Sequence, residues 1–342
     1  MSAERAGPAT YWLSAHVGYQ CRHSGACCSS GWPIPVETLR VAAIDRAVAE
    51  GRLSAPPGGW LQVVPQAPED VAGIFRSERG ICVFRQDHCC AVHAGLGTGA
   101  LPAACLHFPR ICLVDDRGVF VTLSHYCPTA ADLLLDAVSP LTVVEGPPAV
   151  PTGDVPEGLD ARGELPPLFD ERRLLSLEEY ASWEREAVRG LTSGEDPGDA
   201  LRVLAAGAGG ALLDLDVDGW IACVRRAVPP PLEWPDAPPG TEAAWRGFAD
   251  RAPAAAVAGR YLAARVFASW VAYQGRGLLA IVRGLEAAFA VFRAEVAREL
   301  ARHPDAAPRQ VLREALRQAD LLLVHYADRE GVARLGTSEL ED

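Results

Sequence analysis

The sequence predicts an α+β, mainly helical protein. A loop-rich, cysteine-rich N-terminal domain with one small β-hairpin spans residues 1–145, a Pro/Gly-rich linker spans 146–168, and an all-α domain spans 169–342. Three observations carry that expectation. Nine of the ten cysteines fall between Cys21 and Cys127. The stretch EGPPAVPTGDVPEGLDARGELPP, which begins at Glu145, is punctuated by Pro and Gly in the manner of a linker or long surface loop. Beyond it, apolar residues recur at helical spacing.

Along the first half, residues 36–52 have a helical pattern. ICLVDDRGVFVTL, residues 111–123, reads as a hairpin: two β-rich runs joined by Asp115-Asp116-Arg117-Gly118. Much of the remainder reads as irregular loop, which needs another source of order; a bound metal supplies one. In the second half, Leu174, Leu177, Tyr180, Trp183, Ala187 and Leu191 mark a helix for which Ser176 is the candidate N-cap. The acidic residues of LEEY and EREA in that helix read as a solvated face. Further helices are expected at about 197–206, 216–227 and 241–251. Two long ones follow, over about 254–302, interrupted at Gly275 and Gly277, and over about 307–335.

With 49% hydrophobic and 22% charged residues, the 342-residue chain has the composition of a globular protein with a full core. The net charge of −12 argues against an extended nucleic-acid surface, which needs concentrated positive charge. Every basic residue is arginine; there is no lysine. The first twenty residues lack the apolar run of a secretory leader. The most apolar later stretch is interrupted by Arg260, Arg265 and Arg276, as suits a helical pair and not a membrane span. These features predict a cytoplasmic protein, where thiols stay reduced.

That setting decides how the cysteines read. They are Cys21, Cys27, Cys28, Cys82, Cys89, Cys90, Cys105, Cys112, Cys127 and Cys223. A disulfide scaffold suits a short secreted chain, and scattered core cysteines would not cluster, so a thiolate metal site is the better explanation. In extended backbone, neighbouring side chains point to opposite sides. On that premise, Cys27 and Cys28 would serve different metals, or different irons of one cluster; Cys89 and Cys90 repeat the arrangement. Clean CxxC pairs of a zinc knuckle are absent, as is a CxxxCxxC triplet. A thiolate set of this size favours iron–sulfur clusters, with zinc second. Cys223 sits alone on a presumed helix and reads as a small buried hydrophobe.

CRHSGACCSSGWPI, then GICVFRQDHCCAVHAGLGTGALPAACLHFPR, then LSHYCP resemble the YkgJ-type cysteine-cluster family, described as zinc- or iron-chelating. Within that family they are most similar to the flagellin lysine-N-methylase branch. The order and spacing of the pieces match over about residues 19–135. The resemblance implies the metal ligands Cys21, Cys27, Cys28, Cys82, Cys90, Cys105 and Cys127. It departs at Ser24, where the family usually has a further cysteine. Cys89, additional to the pattern, is a candidate eighth ligand, and Cys112 is another. Eight thiolates would serve two [4Fe–4S] clusters, whereas seven leave one position open or non-cysteine. The resemblance further implies an S-adenosylmethionine-dependent protein-lysine N-methylase, acting on a protein substrate with exposed lysines that the helical domain would receive. The cysteines alone support equally a non-catalytic iron–sulfur or zinc carrier, sensor or electron-transfer protein, or a purely structural metal.

Several other residues lie near the thiols. His93 reads as packing or as a support behind the ligands, His107 as ligand or support, and His125 as a support on the same strand face as Cys127. His23 and His88 lie near cysteines in the sequence. Arg110, in FPR, is a candidate for holding the carboxylate of a small-molecule cofactor; a structural salt bridge is its other reading. Trp32 is expected to lie as a lid over the metal. GLGTGA at 95–100 lacks the full GxGxxG pattern and a preceding strand, and AGAGGA at 206–211 reads as a helix-ending turn, so neither is taken as a nucleotide loop.

Overall fold

The computed structural model describes residues 8–328 apart from 66, 87, 88, 150–157, 214 and 231, together with 331 and 334. His88, the middle of the Pro/Gly-rich stretch and the far end of the expected 307–335 helix lie outside the described residues. Helices account for 47% and strands for 15%, so the protein is α+β and mainly helical.

The main sheet grows around the hairpin. Arg110–Asp115 pairs antiparallel with Gly118–Leu123, Asp115 opposite Gly118, which leaves Asp116 and Arg117 as a two-residue turn. Thr10–Leu13 joins Gly118–Leu123 in parallel, Val143–Glu145 joins Thr10–Leu13 antiparallel, and Gly158–Asp160 adds in parallel beside Arg110–Asp115. These added strands are three or four residues long, too short to show an alternation in the sequence. Side chains alternate across the sheet. Leu13, Leu113 and Phe120 face the helices and join the largest core. Trp12, Cys112, Val114, Val121 and Leu123 face the other way, into a second core with Tyr19, Cys127 and Ala130.

A third core lies in the first half. Ile34, Val36, Phe75, Phe84 and Leu101 pack there with Ile44 and Ala47 of α1 (Thr38–Ala49) and Val92 of α2 (Ala91–Leu96). Short helix α3 (Ala103–His107) borders it, and α4 (Pro128–Asp136) links the first two cores through Ala130, Ala131 and Leu134.

Among the described residues no strand follows Leu174. The chain continues as α5 (Leu177–Leu191), α6 (Pro197–Gly207), α7 (Val217–Arg226), α8 (Thr241–Ala249), α9 (Ala254–Val266), α10 (Gly277–Arg302) and α11 (Pro308–Asp320). α10 is the central post: α6, α7, α8, α9 and α11 all pack on it. Its alanines, Ala280, Ala287, Ala288, Ala290 and Ala294, are buried and allow close approach from several sides. α11 passes directly into a π-helical turn, Leu321–Tyr326.

Two details depart from the sequence expectation. The break between α9 and α10 begins before Gly275, at Ala268, which adopts a left-handed conformation (φ 56°). The Ala268 N–H donates to Glu184 Oε1 at 3.0 Å, so a tertiary contact ends the helix there. Glu184 itself was expected on a solvated face together with Glu178, Glu179 and Glu186. Those three are exposed, but Glu184 is buried. It lies one turn from both Tyr180 and Val188, on the apolar side of α5, and faces Arg117 at 3.6 Å. No helix of the described residues is long and apolar enough to cross a membrane.

Candidate functional site

A cavity of about 500 Å³ opens where the second and third cores meet. Cys21, Cys27, Cys28, Cys90, Cys105 and Cys127 all contribute to its wall. Local backbone explains how residues so far apart in sequence converge. Gly25 takes a left-handed conformation (φ 70°) and opens a 3₁₀ turn over Ala26–Cys28. That turn sets the sulfurs of Cys27 and Cys28 3.9 Å apart, both on the wall. The argument that adjacent cysteines diverge holds for extended backbone and does not apply here. Two thiolates on one tetrahedral metal, with metal–sulfur bonds of ~2.3 Å, lie ~3.8 Å apart, so this pair has the spacing of a shared ion.

Cys89 and Cys90 do occupy extended backbone, paired with Arg85 and Gln86, and there the alternation operates. Cys90 turns inward and Cys89 is exposed, off the cavity wall. Cys90 is the N-cap residue of α2. Cys127 is likewise the N-cap residue of α4 and lies 3.8 Å from the Tyr19 hydroxyl. Cys105 sits on α3, whose first N–H, at Ala103, donates to Glu37 Oε1 at 2.8 Å. Cys82 is buried in the third core with Cys28, just behind the wall. Cys21 is exposed, and its sulfur accepts from the backbone N–H of His23. Ser24 also lines the cavity, so the position where the resembling family has a cysteine faces the other thiols.

The thiols are electrostatically linked. Hydrogen bonds to Cys27 and Cys90 push the Cys28 thiol far above its usual range. The same bonds lower Cys27 and bring Cys90 down to about 6. Burial pushes Cys82 up to about 11 and also raises Cys105 and Cys127. Cys28 is therefore the hardest of the three to ionise, and Cys27 and Cys90 ionise more readily. A soft thiolate set of this kind suits zinc or iron–sulfur chemistry. Among the described residues, no group of three or more His, Cys, Asp or Glu already stands in an arrangement that could hold a metal ion.

Arg110 lies on the wall, its guanidinium carbon 5.2 Å from the Tyr19 ring centroid. Among the described residues, its buried Nε has no hydrogen-bond partner, and no Asp or Glu shares the wall. His93 and His23 line the cavity with ring centroids 4.7 Å apart. Burial, and secondarily His23, lowers the His93 pKa. His107 is buried at the end of α3, outside the wall. Cys112 is buried in the sheet, also outside the wall, and Cys223 is buried on α7. Trp32 does not line the cavity; it packs behind Phe108, which does, at 5.7 Å between ring centroids.

His125 faces away from the thiols, into a buried chain of polar groups. Its Nδ1 lies 3.0 Å from Asp320 Oδ2, Tyr261 donates to Asp320 Oδ1 at 2.9 Å, and His16 Nε2 lies 3.2 Å from His125 Nε2. Burial, then His125, holds the His16 pKa well below its usual value. Among the described residues, the buried His16 Nδ1 has no hydrogen-bond partner. Sequence reasoning did not single out His16, Asp320, Arg317 or His325. The one available signal was Asp320, a carboxylate at the start of the apolar run Leu321–Val324. Comparison of the chain with family models, curated proteins and solved structures finds no match.

Proposed function

We propose that the cavity holds a thiolate-bound metal, an iron–sulfur cluster before zinc, and that the protein is a cytoplasmic S-adenosylmethionine-dependent methyltransferase of the protein-lysine N-methylase kind. The observation that carries the metal reading is the convergence of six cysteines on one cavity, with the sulfurs of Cys27 and Cys28 3.9 Å apart. In this reading residues 1–145 hold the metal, the Pro/Gly-rich stretch 146–168 is tied to the main sheet by Gly158–Asp160, and the helical part from 169 receives the protein substrate. The methyltransferase reading rests on the resemblance to the lysine-N-methylase branch.

Cys27, Cys28, Cys82, Cys90 and Cys105 form one interacting group, and Cys21 and Cys127 a second beside Tyr19. The bound metal would supply a Lewis-acidic or electron-transferring centre. Loading it requires the Cys28 proton to leave, while Cys27 and Cys90 are already disposed to bind as thiolates. Arg110 offers a permanent cation to the carboxylate of S-adenosylmethionine. Leu101, Leu106 and Phe108 exclude water from the same wall. His93, whose pKa burial lowers, is placed to accept the proton that a lysine ammonium must lose before it can be methylated. The net charge of −12 argues against an extended nucleic-acid surface, so a protein is proposed as the partner and nucleic acid is not.

One observation favours a second reading, a non-catalytic metal carrier or electron-transfer protein: Cys21 is exposed at the cavity, where a thiol can pass a metal onward. Anaerobic purification with iron, sulfide and zinc analysis tests the centre. Iron and acid-labile sulfide are expected in the wild type and in Cys89→Ser, and their loss in Cys90→Ser. Stoichiometric zinc without iron would replace the iron–sulfur reading, and a full metal complement in Cys90→Ser would refute the ligand set.

A further inference from the structure

Ser124, His125 and Tyr126 lead the chain into Cys127, and each is held by a residue from the same helical segment. Arg317 Nε donates to the Tyr126 carbonyl at 3.0 Å. Asp320 accepts from the backbone N–H of His125 at 2.5 Å and lies 3.0 Å from its Nδ1. His325 Nε2 lies 2.8 Å from Ser124 Oγ. Asp320 is braced in turn by Tyr261 and, at 3.7 Å, by Arg265 of α9.

The π-helical turn makes this grip geometrically feasible. In a regular α-helix a residue five positions on is rotated about 140° from the first. A π-turn closes its hydrogen bonds at five residues, so His325 stacks nearly over Asp320 and reaches the same loop. The His325 ring has a second contact. It stacks on Trp32, with centroids 4.3 Å apart and planes at 27°. Trp32 follows the Cys27–Cys28 turn by four residues, so His325 touches both thiol-bearing loops. Arg317, Asp320 and His325 all stand off the cavity wall.

We infer that α11 and its π-turn are a positioning device for the cavity: Arg317, Asp320 and His325 set the place of Cys127, and of these three His325 is the one that also packs directly on Trp32, beside the Cys27–Cys28 turn. The inference rests on the cavity being the functional site, and it is independent of which metal fills it.

The test is site-resolved alkylation of the full-length chain as purified, with iodoacetamide and mass spectrometry. Cys223, buried on α7 away from the clamp, reports general loosening. His325→Phe keeps a ring against Trp32 but removes the bond to Ser124. Cys127 should then be alkylated about fivefold faster, the factor one ordinary hydrogen bond is worth, while Cys28 and Cys223 keep their wild-type rates. Ser124→Ala should reproduce that pattern from the other partner. His325→Ala should accelerate both Cys127 and Cys28, again with Cys223 unchanged. Equal acceleration at Cys127 and Cys223 would overturn the inference. So would unchanged rates in all three variants, or a His325→Phe protein that exposes Cys28 as much as His325→Ala. A wild type that carries no metal would defeat the proposed centre and still leave this pattern readable.

Discussion

Among the described residues, Arg110 is the only permanently charged side chain on the cavity wall, and the thiols around it carry negative charge only once they ionise. A guanidinium with a buried, unpartnered Nε favours an anionic ligand. Replacing it by Gln in the metal-loaded protein should weaken S-adenosylmethionine binding about tenfold or more, the loss of a charge-assisted hydrogen bond, without changing metal content. Calorimetry on the wild type and Arg110→Gln measures this, and equal affinities would remove Arg110 from the site. The cysteines that converge here were legible because clustered cysteine is rare, whereas Arg110, one of 32 arginines, was singled out by its FPR setting close to Cys105. The directions of the cysteine side chains were not legible. The Gly25 conformation brings Cys27 and Cys28 together, whereas the extended backbone at Cys89–Cys90 separates that pair. The same dipeptide thus has two geometries, which residue identity alone does not distinguish.

Among the elements, the best-read helix is α5, because its start signal is local. Ser176 Oγ accepts from the Glu179 N–H at 3.1 Å, and the Ser176 N–H donates to Glu179 Oε2 at 2.7 Å, a reciprocal capping box. Ser176→Ala should cost about 1 kcal/mol, seen as a lower urea midpoint with an unchanged slope. An unchanged midpoint would show that packing alone holds this end. Three other helices were not expected. α2 and α3 have six and five residues, too few for a periodic pattern to register. α4 did carry a signal, Pro128 at its first position, but it follows Cys127 and was read as part of the cysteine motif. At Ala268 the local pattern favours continued helix, and only the Glu184 contact, distant in sequence, breaks it.

At the scale of the molecule, the largest core joins what the sequence divides. Leu13, Leu113 and Phe120 of the sheet pack with residues of α5, α9 and α10 in one cluster. Such contacts depend on side chains far apart in the chain, which is why the hairpin could be read from the sequence but not the surface it rests on. The junction is pinned by Arg117 in the hairpin turn, which bonds Asp115 at 2.7 Å, approaches Glu184 at 3.6 Å and lies over the rings of Phe120 and Tyr180. Tyr273 donates to Asp115 at 2.6 Å from the connection between α9 and α10. Glu184 makes this junction sensitive to pH. Burial raises its pKa from 4.5 to about 7, a rise that the nearby Arg117 reduces but does not cancel. Between those values the folded chain keeps a proton that the unfolded chain has released, so stability falls as pH rises through the window. The full loss, reached above about pH 7, is on the order of 3 kcal/mol. Glu184→Gln has no proton to lose, and its amide oxygen can still accept from Ala268. In urea titrations at several values from about pH 5 to about pH 8, the wild type should weaken over this range by about 3 kcal/mol more than the variant. Parallel profiles for the two proteins would mean that Arg117 holds Glu184 ionised throughout and that the junction is a simple ion pair.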